Sequence, residues 1–207
     1  MAVWTISAQP GTPGVEVAAG LAARAGVPLF DRQALEPIVQ ELSPELGSLD
    51  DIEGRFGGRL NALALAAAMT YGAPAAFHEV ELRRTLPELG RKAIGEIARR
   101  PAVILASAAA QTLNDHPSAV HARLWAPKEW RVAGYARSEM VDRDRSAHDL
   151  AHADHVEHTW VRALFDVRVD DPTLYTVVLD ASRLAADRIV DVLLAAAGIT
   201  AEDVPVR

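Results

Sequence analysis

Apolar positions along the chain fall in short runs separated by amphipathic stretches, the pattern of strands alternating with helices. Residues 2–7 are a β-branched run ahead of a Gly/Pro cluster, which predicts a strand, a turn and a helix over about 14–25. Val17, Leu21 and Ala22 give that helix its apolar stripe, and Gly26 is its natural stop. Residues 27–30 predict a second short strand, with Asp31 as N-cap of a helix through about 42. Residues 43–58, rich in Gly, Asp and Glu, read as a loop with a helical turn. Residues 59–71 read as an alanine-rich helix, and 78–100 as further helix that Pro87 kinks or divides.

Three more apolar runs have strand length, at 101–106, 120–126 and 174–179, and a helix over about 182–197 follows the last. Strands separated by helices predict a parallel sheet covered on both faces, with ligands at the carboxyl ends of the strands. Residues 128–165, between the last two strands, are helical in pattern and densely charged. A stretch so polar is expected to protrude as a helical hairpin, and a hairpin over the ligand edge is a lid candidate. The expectation is one α/β domain over 1–207, with that lid inside it.

Composition narrows the partners. The formal net charge of −7 argues against nonspecific binding to nucleic acid or anionic membranes. No apolar stretch is long enough to span a bilayer, and the N-terminal residues lack the pattern of a signal peptide. With no cysteine there is neither a disulfide framework nor a thiolate metal site, which fits a reducing compartment; the expected location is the cytoplasm.

The loop between the first strand and helix, Gly11-Thr12-Pro13-Gly14, has the outline of a phosphate cradle, in which backbone N–H groups at a helix N-terminus hold an anion. The N–H groups of Gly14, Val15 and Glu16 are the candidates for residual anion binding. Thr12 suits either a phosphate or Mg²⁺ contact or a simple turn. Pro10 and Pro13 each remove a donor, and the only lysines, Lys92 and Lys128, do not follow a glycine-rich turn. A loop lysine reaching the phosphates is therefore excluded by inventory. His148, His152 and His155, with His158 as a possible fourth, follow at spacings of 4, 3 and 3; the first three share one helical face near Asp149, Asp154 and Glu157, so a Zn²⁺ or Ni²⁺ site competes there with a plain solvated helix that gains charge as pH falls. No Gly-x-Ser-x-Gly elbow supports a serine hydrolase.

The opening, with its continuation Gly26-Val-Pro-Leu-Phe-Asp31, resembles the cytidylate kinase-like family of P-loop kinases, whose members read Ile-Ser-Arg-x-x-Gly-Ser-Gly-Gly-Arg and then Gly-x-Pro-Tyr-Tyr-Asp. Arg100-Pro-Ala-Val-Ile-Leu-Ala-Ser-Ala-Ala109, Leu124-Trp-Ala-Pro-Lys-Glu-Trp-Arg131 and Asp171-Pro-Thr-Leu-Tyr175 resemble later family segments in the right order. The resemblance implies a three-layer P-loop kinase-like fold, with ATP-Mg²⁺ over residues 9–16 and a nucleotide acceptor near Asp31, the 59–95 helices and the lid. Arg131 and Arg137 then either meet an anionic ligand or stay as solvated helix residues.

The departures from the family share one direction. Ala8 and Val15 stand where the family has basic residues, Ala106-Ser107 replaces its Gly-Arg, and Asp154-His-Val-Glu157 replaces the lid's Asp-x-x-Arg. Cations neutralise the transferring phosphoryl group, and one arginine contributes roughly 10³–10⁵ in rate. The resulting expectation is a kinase-like protein that is inactive or weak as an ATP:nucleoside-monophosphate phosphotransferase, which argues against use of ATP and Mg²⁺ while leaving a nucleotide or other small anion as ligand. The alternatives are an active CMP kinase using Arg131, Arg137, Arg143 or Arg145, and a homo-oligomeric interaction protein built on the 60–76 helix or a His-rich metal binder.

Overall fold

The computed structural model describes residues 2–31, 94–107 and 109–198. The expected helix after Asp31, that over 59–71, the 60–76 surface and most of the helix expected over 78–100 lie outside the described residues; of the last, residues 94–97 are helical. Five strands form the sheet: β1 (Val3–Ala8), β2 (Leu29–Phe30), β3 (Ala102–Leu105), β4 (Ala119–Trp125) and β5 (Val177–Asp180). They lie in the order β2-β3-β1-β4-β5, and every pairing is parallel. The helices are α1 (Gly14–Ala25), a single turn α2 (Ala109–Thr112), α3 (Lys128–Ser138), α4 (Arg143–Phe165) and α5 (Ala186–Ala196).

The two faces of the sheet are built differently. On one, Trp4, Ile6, Val120, Ala122 and Leu124 pack with Val17, Leu21, Ile189 and Leu193 of α1 and α5 in the main apolar core. Trp4 Nε1 donates to the Leu193 carbonyl at 2.9 Å, which ties the central strand to α5. On the other face the register sets Thr5 beside His121 and Ser7 beside Arg123, all four buried. Parallel strands usually carry apolar residues on both faces. Here the second face carries a polar patch between β1 and β4, beside the apolar Val3, Ala102 and Ile104: Thr5 Oγ1 lies 2.7 Å from His121 Nδ1, and Arg123 donates to Ser7 Oγ at 2.7 Å.

Helix α1 matches its expected bounds, and Gly26 closes it in the left-handed conformation (φ 67°). The final strand and helix start later than the pattern predicted. Asp171 accepts from the Thr173 N–H and draws Pro172–Leu174 into a 3₁₀ turn, so β5 begins only at Val177. Asp180 accepts from both the N–H and the Oγ of Ser182, and α5 begins at Ala186. In both places a short acidic side chain competes for the backbone.

The hairpin is present as α3 and α4, and α4 is tied to the sheet by the pair of Glu157 with Arg123 of β4. Ser146 Oγ donates to the Val132 carbonyl at 2.8 Å, and Leu150 and Val161 are buried. The polarity of α4 misled because two of its carboxylates, Asp154 and Glu157, turn inward to arginines.

Gly14 begins α1 where the helix meets β1, and a Cβ on it would stand 2.4 Å from the Ala8 Cβ. Gly14→Ala is expected to destabilise by about 1–3 kcal/mol, since backbone must move to relieve the overlap. Gly20→Ala in the same helix meets only Val190 Cγ2, at 3.4 Å, and should be neutral or stabilise by up to about 1 kcal/mol through helix propensity. Chemical denaturation of the two variants checks both signs.

Candidate functional site

The loop from Gln9 to Gly14 leaves the carboxyl end of β1 and turns into α1. Gly11 sits at φ +83°, and a Cβ on it would lie 3.1 Å from Arg131 Cβ and 3.2 Å from Leu150 Cδ2, so the loop is pressed against the hairpin. The loop also uses its own donors. Thr12 gives both its N–H and its hydroxyl to the Gln9 carbonyl, at 3.0 and 2.6 Å, and the Gly14 N–H bonds the Thr12 carbonyl at 2.8 Å. Helix α1 has no side-chain cap, so the N–H groups of Val15 and Glu16 remain at its exposed positive end. Glu16 adds a carboxylate of the protein's own to that first turn.

Two arginines join the hairpin to this loop and to the sheet. Arg131, 5% exposed, donates from Nε to the Ala126 carbonyl and from one terminal nitrogen to the Pro10 carbonyl at 3.0 Å. It holds Asp154 through two bonds of 2.9 and 2.8 Å. Arg131 is thus neither a solvated residue nor an open anion receptor; it clamps loop, β4 end and lid. Arg123, 2% exposed, holds Glu157 through bonds of 2.9 and 3.0 Å and Asp170 through one of 2.8 Å. Ser107, where the resemblance placed a cation, donates its hydroxyl to the same Glu157 oxygen at 2.5 Å.

A cavity of about 680 Å³ lies between the loop and α4. Gly11, Thr12, Gly14 and Val15 line it from the loop side, and Leu105 and Ser107 from the end of β3. Helix α4 contributes Arg145, Asp149, His152 and Glu157. Arg145 is the one Arg or Lys among the described lining residues, and its Nε already bonds Asp149 at 2.8 Å. Glu16, Asp31, Arg131 and Arg137 are not among these lining residues; Arg137 is exposed in the last turn of α3. His148 and His155 are exposed on α4 and do not join His152 at the cavity. Among the described residues no group of three or more His, Asp or Glu side chains is placed to hold a metal ion, so the three imidazoles share a helix without forming a ligand set.

The ionic network fixes its own protonation states. Burial works against the Arg123 charge, but the hydrogen bond and charge of Glu157, followed by Tyr175 and Asp170, outweigh it and raise the pKa. Burial likewise favours the neutral form of Asp170, and the bond from His158 together with Arg123 overcomes it, so the pKa falls. His158 is raised: burial opposes the charge, while the Asp154 carbonyl and the Asp170 carboxylate favour it. Both ring nitrogens face acceptors, at 2.6 and 2.5 Å, and only the protonated ring supplies a proton to each. His121 is lowered, chiefly by burial.

Arg123 and Asp170 are not singled out by the sequence, and His158 enters there only as a possible fourth member of the histidine series, not as an ion-pair partner. The signal was present in the alternation of polar His121 and Arg123 with apolar neighbours in a strand expected to be buried on both sides.

The sheet order, the loop entering α1 and the helical hairpin over it define a P-loop kinase-like fold. The chain belongs to the cytidylate kinase-like family, whose model matches residues 3–183. In fold it is similar to an uncharacterized protein from Eubacterium ventriosum (18% identity, 94% of this chain and 98% of that one, TM-score 0.65). It is also similar to a gluconokinase from Sinorhizobium meliloti (16% identity, 95% and 91% covered, TM-score 0.54). A shikimate kinase from Bacteroides thetaiotaomicron gives 14% identity, 94% and 96% covered, and a TM-score of 0.53. A search of curated protein sequences finds no match. No helix among the described residues is long and apolar enough to cross a membrane.

The raised His158 value makes the network pH-dependent. Its contribution is fully present below the unfolded value of 6.5 and is lost as pH rises through the folded value. The melting temperature of wild type should exceed that of His158→Asn below that value, with the gap closing on the alkaline side. For a pair this exposed the effect is about 1 kcal/mol or less. A gap unchanged with pH would remove the histidine's charge from the account.

Proposed function

We propose that this kinase-like chain is a pseudokinase, with no effective ATP:nucleoside-monophosphate phosphotransferase activity, whose cavity is retained for binding. The observation that carries the reading is the Glu157 carboxylate, which lines the same cavity as Gly11 and Gly14 and is held there by Arg123 and Ser107. Phosphoryl transfer needs positive charge around the moving group. Among the described residues this cavity offers two carboxylates, Asp149 and Glu157, and one arginine, Arg145, already bonded to Asp149.

The residues present do not suit Mg²⁺-ATP. The loop brings no cation, the Thr12 hydroxyl hydrogen is given to Gln9, and Gly14 gives its N–H to Thr12. The zero-cysteine composition goes with a cytoplasmic setting. A second reading, the active kinase, draws on one observation, the position of Arg145 at the cavity. Of the other cations it invokes, Arg131 is held by Asp154 and Pro10, while Arg137 and Arg143 are exposed.

A coupled assay with ATP, Mg²⁺ and each nucleoside monophosphate should show no turnover above the protein-free rate. Calorimetric titration with ATP and CMP should be unaffected by Mg²⁺. Turnover with any monophosphate that is lost in Arg145→Ala would replace this reading with the active kinase.

A further inference from the structure

We propose that the buried guanidinium of Arg123 is an anion-binding site occupied by the protein's own Glu157, so that a phosphate-bearing small molecule engages it by displacing that carboxylate. The inference rests on the reading of the cavity as a binding site without transfer chemistry, and it names how that site is gated.

Three observations converge. Arg123 and Glu157 meet through two parallel bonds, of 2.9 and 3.0 Å, from separate guanidinium nitrogens to separate carboxylate oxygens. That fork fits a phosphate as well as a carboxylate. Ser107 Oγ completes the arrangement as a third donor to the carboxylate, at Oε1, so Glu157 sits in a receptor built from β4 and the residues that follow β3. Finally, Glu157 and Ser107 line the cavity whereas Arg123 does not: the carboxylate screens the cation from the cavity.

The receptor persists without its occupant. Arg123 is also anchored to Ser7 Oγ at 2.7 Å and to Asp170 at 2.8 Å, so loss of Glu157 leaves a positioned and still charged guanidinium. Its Nε–H is buried with no hydrogen-bond partner among the described residues, so the group carries donor capacity that its present contacts do not use. On the lid side, Glu157 follows Asp154 by three residues, so the two carboxylates share a face of α4 and hold it to Arg123 and Arg131. Displacing Glu157 releases one of those two ties. Ligand binding and loosening of the lid are therefore one event.

The test titrates inorganic phosphate into the full chain by calorimetry, comparing wild type with Glu157→Gln, which removes the charge, and Glu157→Ser, which also opens space. Both variants should bind phosphate roughly ten- to a hundredfold more tightly than wild type, the range of one charged hydrogen-bonded contact. The gain should disappear when Arg123→Lys is added, because an ammonium cannot present the fork. Affinities equal to wild type in both variants, or a gain that survives Arg123→Lys, overturn the proposal.

Circular dichroism confirms that each variant is folded, and a phosphate-dependent rise in melting temperature gives an independent reading of binding where one variant is marginal. Repeating the titration with CMP separates the free oxyanion from a phosphate on an organic body: equal affinities assign the site to the oxyanion alone, and tighter CMP binding adds the cavity walls. Turnover of ATP by wild type would overturn the pseudokinase reading, whereas the phosphate comparison decides the gating on its own.

Discussion

A guanidinium buried to 2% exposure on the fourth strand of a five-stranded parallel sheet is the constraint around which the rest of this molecule is arranged. An unpaired charge at such a depth is prohibitively unfavourable, so the terminal nitrogens of Arg123 demand oxygen acceptors. Ser7 on β1, Glu157 on α4 and Asp170 beyond α4 supply them. They lie 116, 34 and 47 positions from Arg123 in the sequence. Meeting the needs of one cation therefore fixes where the lid helix lies and how the segment after it returns toward β5. A buried pair of this kind adds little net stability over an apolar substitute, but removing one partner costs about 3–5 kcal/mol, which makes it a strong determinant of arrangement.

Arg131 repeats the device at the loop. It binds the Pro10 carbonyl and Asp154 together, so the turn that resembles a phosphate cradle is braced by a cation pointing at its carbonyl oxygen. In an anion cradle the backbone presents N–H groups to a ligand. Here three of the loop's polar donors, two on Thr12 and one on Gly14, close bonds within the loop, and a side chain from α3 binds the Pro10 carbonyl oxygen. The outline of the turn is kept while its polar groups are spent internally.

Local signals made much of the fold legible. The apolar stripe of α1 ends at Gly26, the apolar runs at 102–105 and 119–125 mark strands, and each is decided within a few neighbouring residues. The hairpin, too, was visible from its periodicity. Its placement was not, because the partners of Glu157 and Asp154 lie 34 and 23 positions away, and a helical wheel cannot tell a carboxylate facing water from one facing a buried arginine. The same blindness hid the polar patch on the sheet: His121 and Arg123 stood in a strand whose apolar alternate positions were enough to identify it. Of the site, the loop and the missing cations could be read from the chain, and the network that replaces them could not.

The replacement and the loss are one electrostatic statement. A carboxylate and a phosphate oxygen each carrying a unit charge about 4 Å apart repel by about 4 kcal/mol at the effective dielectric of a protein surface, a factor of roughly a thousand in affinity. With cations at positions 8, 15 and 107, that repulsion would be offset and both anions tolerated. Ala8, Val15 and Ser107 offset nothing, and of these only Ser107 takes part, as a hydrogen-bond donor to the carboxylate itself. Glu157 and a ligand phosphate therefore compete for Arg123, where in a cation-rich cavity they would coexist. With one neutralised pair and no further unpaired cation among the described lining residues, the site has room for a single anion at a time, and in this structure the protein supplies it.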